Sequence, residues 1–183
     1  MWLKYPLLCI LFFLTTLLQI SFLPRLGIWL ETVNLIFITF FVLVFFETTA
    51  TYYSFFSFHR WFFGFFLVLS SGLMLDIISP YAFGYSSLAL LLVYIGIKIA
   101  SYFLKESQDT YLFIYFVLIF LISIIFYSLL LHVFTGGQAT GIYADKNTFN
   151  YVVYNTLCAA LAFYLYKILH GEYKKGKQLK LFR

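Results

Sequence analysis

The chain has 183 residues, 63% of them apolar and 10% charged, with a formal charge of +5 and a mean hydropathy of +0.95. A soluble domain carries about 25% charged residues, so this composition cannot cover a water-facing surface and excludes a soluble globular fold. Runs of about 20 apolar residues match a bilayer core of roughly 30 Å, which makes this an integral membrane protein.

Helices and closed β-barrels both pair every backbone polar group inside lipid. Barrel strands alternate apolar and polar positions, whereas residues 112–131 are apolar at nearly every position, so the expected fold class is an all-α bundle. The first predicted helix covers 6–23 and stops at Pro24-Arg25. Lys4 ahead of this run has the look of a signal sequence, but no Ala-x-Ala-like cleavage site follows, so a retained helix is expected. The second helix is predicted over 34–49. An aromatic link, TYYSFFSFHR, leads to the third over 61–78, which Ser79-Pro80 ends. The fourth covers 84–104, the polar patch 105–109 follows, and the fifth covers 110–134. After the loop TGGQATGIYADKN the sixth runs over 148–169. The domain reading is therefore one six-helix transmembrane domain, 1–169, and a basic tail, 170–183.

Orientation follows from the cations. With six spans, Lys4, Arg60, Lys98, Lys105, Lys167, Lys174, Lys175, Lys177, Lys180 and Arg183 share one side, and only Arg25 and Lys146 fall on the other, which accounts for all 12 Lys and Arg. The positive-inside rule then places both termini in the cytoplasm. The tail GEYKKGKQLKLFR is expected to contact the anionic inner leaflet through Lys174, Lys175, Lys177, Lys180 and Arg183, each cation contributing up to about 1 kcal/mol. A nucleic-acid role is not expected of so short a tail.

Asp76, in the stretch GLMLDIISPYAFG (72–84), lies near the outer end of the third helix. There the negative end of the helix dipole disfavours a carboxylate, so something local must compensate. Ser79, which reads as an N-cap with Pro80 at the first helical position, and the backbone N–H groups around Pro80 are the candidates. Two roles stay open for Asp76: fastening the connection between the third and fourth helices, or function, the default suspicion for an intramembrane ionisable group. Gly64 and Ser71 share one face of the third helix, Gly72 and Asp76 an adjacent one. Gly96 and Ala100 form a small-xxx-small pair on the fourth. Such residues permit close helix approach, either within the bundle or to a partner helix.

Lys98 sits inside the cytoplasmic end of the fourth helix. It is expected to snorkel to the headgroups, with Glu47 as the alternative ion-pair partner. Cys9 and Cys158 lie in separate apolar runs and read as small apolar fillers. His59, His132 and His170 are scattered and show no metal-ligand spacing. No HExxH, GxSxG or phosphate-binding loop occurs. Catalysis needs converging polar groups, and Asp76 has only Glu31 and Asp145, in loops, on its side. Neither enzymatic activity nor a cofactor is expected.

The order LLQISFLP, then ETVNLIFI, then GFFLVLSSGLMLDIISPYAFGYSSLALLLVYIGIK resembles the MreD family of bacterial rod shape-determining membrane proteins. The matching residues are Gln19 and Pro24, Asn34 and Leu35, then Gly72, Asp76, Ser79, Pro80 and Gly84, while Val33 stands where the family has proline. The motifs cover 17–98, and the remainder matches by hydropathy and length. The resemblance implies a six-helix, multi-pass component of the cytoplasmic (inner) membrane without enzymatic activity of its own. It also implies a scaffold role in peptidoglycan-synthesising cell elongation, binding to MreC, and indirect association with MreB, RodA and the class B penicillin-binding protein. On that basis the turn carrying Asp76 is a partner-docking surface.

A second resemblance is to the substrate-binding S components of energy-coupling-factor vitamin transporters, whose fold MreD proteins are thought to share. Those usually carry Ala-x-x-x-Ala on the first helix, and PLLCILFFLTTLLQISFL has no alanine. A lipid-modifying enzyme is the third reading, and it lacks a catalytic pair.

Overall fold

A computed structural model describes residues 4–26, 33–49, 58–79, 83–103, 111–136 and 146–181. Among these residues the chain is helical, with no strand. The first helix is made of α1 (Lys4–Leu17), a π-helical turn (Leu18–Phe22) and α2 (Leu23–Leu26). It runs past the expected stop at Pro24, because the ladder has already widened to π where the proline lacks its N–H. Then come α3 (Leu35–Thr49), α4 (Phe58–Ile78), α5 (Tyr85–Phe103), α6 (Leu112–Phe134) and α7 (Lys146–Leu181). The last outruns the expected boundary at Leu169, crossing Gly171 and Gly176 in a segment otherwise rich in helix-forming Lys, Glu, Gln and Leu.

Four of these helices are long and apolar enough to cross a membrane: Tyr5–Phe22, Trp61–Ile78, Leu112–Phe134 and Phe149–Ile168. Two apolar helices are shorter, Leu35–Thr48 and Tyr85–Ser101. At 1.5 Å per residue the 15-residue α3 spans about 22 Å, less than a bilayer core.

The burial of α3 organises the bundle. A helix that is apolar all round belongs in an interior, and none of its described side chains is exposed. It is surrounded by α1, α4, α5 and α7 through helix packing and by α6 through rings. Phe37 and Phe41 meet Phe120 edge-on at 5.8 and 5.0 Å, and Phe41 and Phe45 meet Phe116 at 5.3 and 5.1 Å. Such T-shaped pairs are worth about 0.5–1.5 kcal/mol each beyond the area they bury. Around α3 the order is α1, α4, α5, α6, α7, each packed on the next. Tyr5 of α1 is edge-on to Phe66 of α4 at 5.0 Å, and Phe163 of α7 lies 4.7 Å from Phe116 of α6. No comparable packing joins α7 back to α1 among the described residues.

Candidate functional site: the capped turn between α4 and α5

Asp76 is 5% exposed, at the end of α4, and what compensates it is the start of α5. Its Oδ2 accepts from the backbone N–H of Gly84 at 3.0 Å and from the Ser87 hydroxyl at 2.9 Å, and its Oδ1 accepts from the N–H of Ser86 at 2.9 Å. The first N–H groups of a helix have no partner within it, and the positive end of its dipole favours an anion. The C-terminal end of α4, unfavourable for a carboxylate, is thus outweighed by the N-terminal end of α5. Gly84 sits at φ +102°, a conformation that glycine reaches without steric cost, and this turns its N–H onto the carboxylate.

Of the expected compensators, backbone N–H groups past Pro80 are present, those of Gly84 and Ser86, whereas Ser79 plays another part. Ser79 donates its N–H to Leu75 O at 2.9 Å and so extends α4. The next described helix opens only at Tyr85, so Ser79 is not its N-cap. Pro80 lies outside the described residues. Ser86 and Ser87, which no motif singles out, join Gly84 as the donors. Their signal was a serine pair in the first turn of a helix that follows an acidic residue across a short break.

Below the turn, α4 and α5 approach closely. A Cβ on Gly72 would lie 2.6 Å from the Ser87 Cα, and one on Gly64 would overlap the Tyr94 ring. Ser71 is buried, its hydroxyl donating to Leu67 O at 2.6 Å. Gly96 makes no close approach within the bundle: a Cβ there meets nothing within 4 Å, because it lies on the outer face of α5 with Leu88, Leu92 and Ile99. Its pair member Ala100 is half-buried against the core.

A second polar cluster lies at the same end of the bundle. Asn155 of α7 is fully buried. Its Oδ1 accepts from Asn34 N at 2.8 Å and its Nδ2 donates to Tyr151 O at 2.7 Å. Asn34 caps α3, its Oδ1 accepting from Phe37 N at 2.9 Å, and Gln19, in the π turn, accepts from Ile36 N at 3.4 Å. The Tyr151 hydroxyl lies near the Asn34 side chain. Tyr127 of α6 lies near Ser86 and within electrostatic reach of Asp76. The N-termini of α3 and α5 are therefore capped by side chains from other helices, and every helix of the bundle contributes a polar group at this end.

At the opposite end Lys98 is 8% exposed, not snorkelling. Its Nζ lies 4.2 Å from the Trp61 ring centre and 5.0 Å from that of Tyr94, two rings set at 87° to each other. Aromatic faces substitute for water around the ammonium. Glu47 is within electrostatic reach of Tyr94. Lys174, Lys175, Lys177 and Lys180 fall on the helical extension of α7, where only the backbone is described, and Arg183 lies outside the described residues. Among the described residues no three His, Cys, Asp or Glu side chains gather as metal ligands. Cys9 is exposed on α1 and Cys158 half-buried on α7, both as free thiols.

Comparison of the chain with protein-family models, with characterised proteins and with solved structures gave no match.

Proposed function

We propose that this chain is a non-enzymatic scaffold of the bacterial cell-elongation machinery for peptidoglycan synthesis. It sits in the cytoplasmic membrane with six spans and both termini inside, and maintains rod shape by binding MreC. Through MreC it associates with MreB, RodA and the class B penicillin-binding protein. Ten of 12 cations on one side support the topology. The leaflet contacts of the tail are part of the same proposal.

The observation that carries the reading is the capped turn, which coincides with the residues on which the resemblance to MreD rests. Both oxygens of Asp76 are engaged by three donors, so the carboxylate serves to hold shape and not to take a proton from a substrate. Beside it Ile77 and Phe83 are 67% and 69% exposed. A rigid turn flanked by exposed apolar side chains offers a membrane-proximal segment of a partner a fixed surface.

The test is detergent co-purification of the tagged chain from its native host, with identification of bound proteins. Recovery of MreC with the cell-wall synthases, reduced for Asp76→Asn, is the expected result. Recovery of an energy-coupling-factor ATPase module instead makes the chain a substrate-binding transporter subunit and ends the scaffold reading.

A further inference from the structure

At the end of the bundle opposite Asp76, one buried hydroxyl is left over. Tyr94 of α5 is 1% exposed, and among the described residues its hydroxyl has no hydrogen-bond partner. Burying a hydroxyl in this state is costly, and such a group in a folded protein calls for an explanation. Packing sets its place. Gly64 of α4 leaves a notch, and a Cβ there would overlap the Tyr94 hydroxyl. The notch takes the tip of the ring without giving it an acceptor.

An acceptor stands nearby on α3. Glu47 lies within electrostatic reach of Tyr94, and its Oε2 is enclosed. The Tyr94 ring also carries the Lys98 Nζ at 5.0 Å from its centre, and the same ammonium lies 4.2 Å from the Trp61 ring. A carboxylate, a phenol and an ammonium thus converge among α3, α4 and α5, in an apolar setting where ionisable groups mark function by default. The Asp76 turn uses none of them. The charge on Glu47 decides which place suits the hydroxyl. An ionised carboxylate is the stronger acceptor and draws a phenol O–H to itself. A protonated carboxyl keeps only part of that acceptor capacity, which leaves packing in the notch as the better arrangement. The hydroxyl seated against Gly64 therefore belongs to the protonated form.

We infer that Glu47, Tyr94 and the Gly64 notch form a proton-linked latch between α3 and the α4–α5 pair. With Glu47 protonated, the hydroxyl is seated in the notch. Loss of that proton to water draws the hydroxyl out to the carboxylate, and Lys98, resting on the ring, shifts with it toward the new negative charge. The other titratable groups around Glu47 are few. From α7 come Tyr166, stacked on the adjacent Phe46 at 3.9 Å, and the exposed Lys167. From α1 comes Tyr5, edge-on to Phe62 and Phe66 of α4, and His59 stands two positions before Trp61 in α4. The latch requires only that the chain lie in a membrane, so it stands or falls apart from the elongation reading.

The test uses the full chain in phosphatidylcholine nanodiscs, with Trp2→Phe and Trp29→Phe so that Trp61 is the one remaining indole of three. Trp61 is edge-on to Tyr94 at 6.0 Å and faces the Lys98 ammonium, so its emission reports the movement of both. Fluorescence is followed from pH about 4 to about 9, which covers a glutamate from its ordinary value to that of a fully buried one. A one-proton shift in Trp61 emission is expected, lost in Glu47→Gln and lost in Tyr94→Phe, which keeps the ring but not the hydroxyl. Gly64→Ala fills the notch and is expected to hold the high-pH emission throughout. Emission that does not change with pH overturns the proposal. A shift that survives Glu47→Gln belongs to His59 or another group and overturns it, and a shift that survives Tyr94→Phe means that the hydroxyl is not the moving part and overturns it as well. If Gly64→Ala does not fold, the two other variants still decide.

Discussion

Gly72 on α4 faces the backbone of Ser87 on α5 so closely that a Cβ would come within 2.6 Å of the Ser87 Cα. A flexible side chain can move aside, but a helix backbone must shift as a body. The same serine donates its hydroxyl to Asp76 at 2.9 Å, so the close approach and the cap share one residue. Any displacement at Gly72 is transmitted to the turn.

Gly72→Ala should therefore lower stability by about 2–3 kcal/mol, in the range of overpacking a tight contact. Gly96→Ala, where nothing lies within 4 Å, should be neutral or stabilising by up to about 1 kcal/mol through helix propensity. Thermal unfolding of the two variants in one detergent checks the contrast. Equal shifts would refute the close contact.

Asp76→Ala removes the acceptor for two backbone N–H groups and a hydroxyl in a buried place. Charge-assisted hydrogen bonds are worth about 1.5–3 kcal/mol, and the stranded donors add their own penalty, so a loss of about 3 kcal/mol or more is expected. Asp76→Asn keeps one acceptor oxygen and should cost about half as much. Chemical denaturation in mild detergent, read through Trp fluorescence, gives the order. A variant order with Asn as harmful as Ala would mean that charge, not acceptor geometry, holds the turn.

Much of this architecture was legible in the sequence because lipid allows few alternatives. Apolar runs located the helices to within a few residues at most ends, and Asp76 stood out as a carboxylate in a greasy segment. Backbone N–H groups beyond Pro80 were foreseeable partners, but the serines were not. Ser86 and Ser87 are ordinary residues until the turn folds back and aims them, and the compensating dipole belongs to the following helix. Lys98 misled for a related reason. A lysine near a helix end can extend to water, and only the crossing of α4 and α5 shows that Trp61 and Tyr94 enclose it. Asn155, an amide within an apolar run, carried a signal that its reach to α3, 121 positions away in sequence, kept hidden.

Lys98 and Trp61 should show coupling in a double-mutant cycle. With Nζ 4.2 Å above the ring and the lysine 8% exposed, a desolvated cation–π contact is worth about 2 kcal/mol. Trp61→Leu and Lys98→Met are each expected to destabilise. The double variant should lose less than the sum by about 1–2 kcal/mol, because the contact is lost only once. Unfolding midpoints of the four proteins in one detergent, read by circular dichroism, supply the cycle. Strict additivity would mean that the ring merely packs beside the lysine.

Asn155→Leu tests the fastening of α7 onto α3. Leucine keeps the bulk but leaves the N–H of Asn34 without its 2.8 Å acceptor and removes the side-chain bond to Tyr151 O. A buried polar group stranded in this way costs about 1–3 kcal/mol. In lipid the unfolded reference finds other partners, which places the effect toward the lower end of that range. Because Asn155 ties α7 to the start of α3 one turn before the half-buried Cys158, its loss should also raise the reactivity of Cys158 toward a lipid-soluble maleimide while Cys9, exposed in either case, stays unchanged. Asn155→Asp retains an acceptor for Asn34 N and should restore much of the attachment of α7 to α3 at a cost in charge burial. If Asn155→Leu leaves both the unfolding midpoint and the Cys158 rate at wild-type values, the amide is not what holds α7 against the first turn of α3.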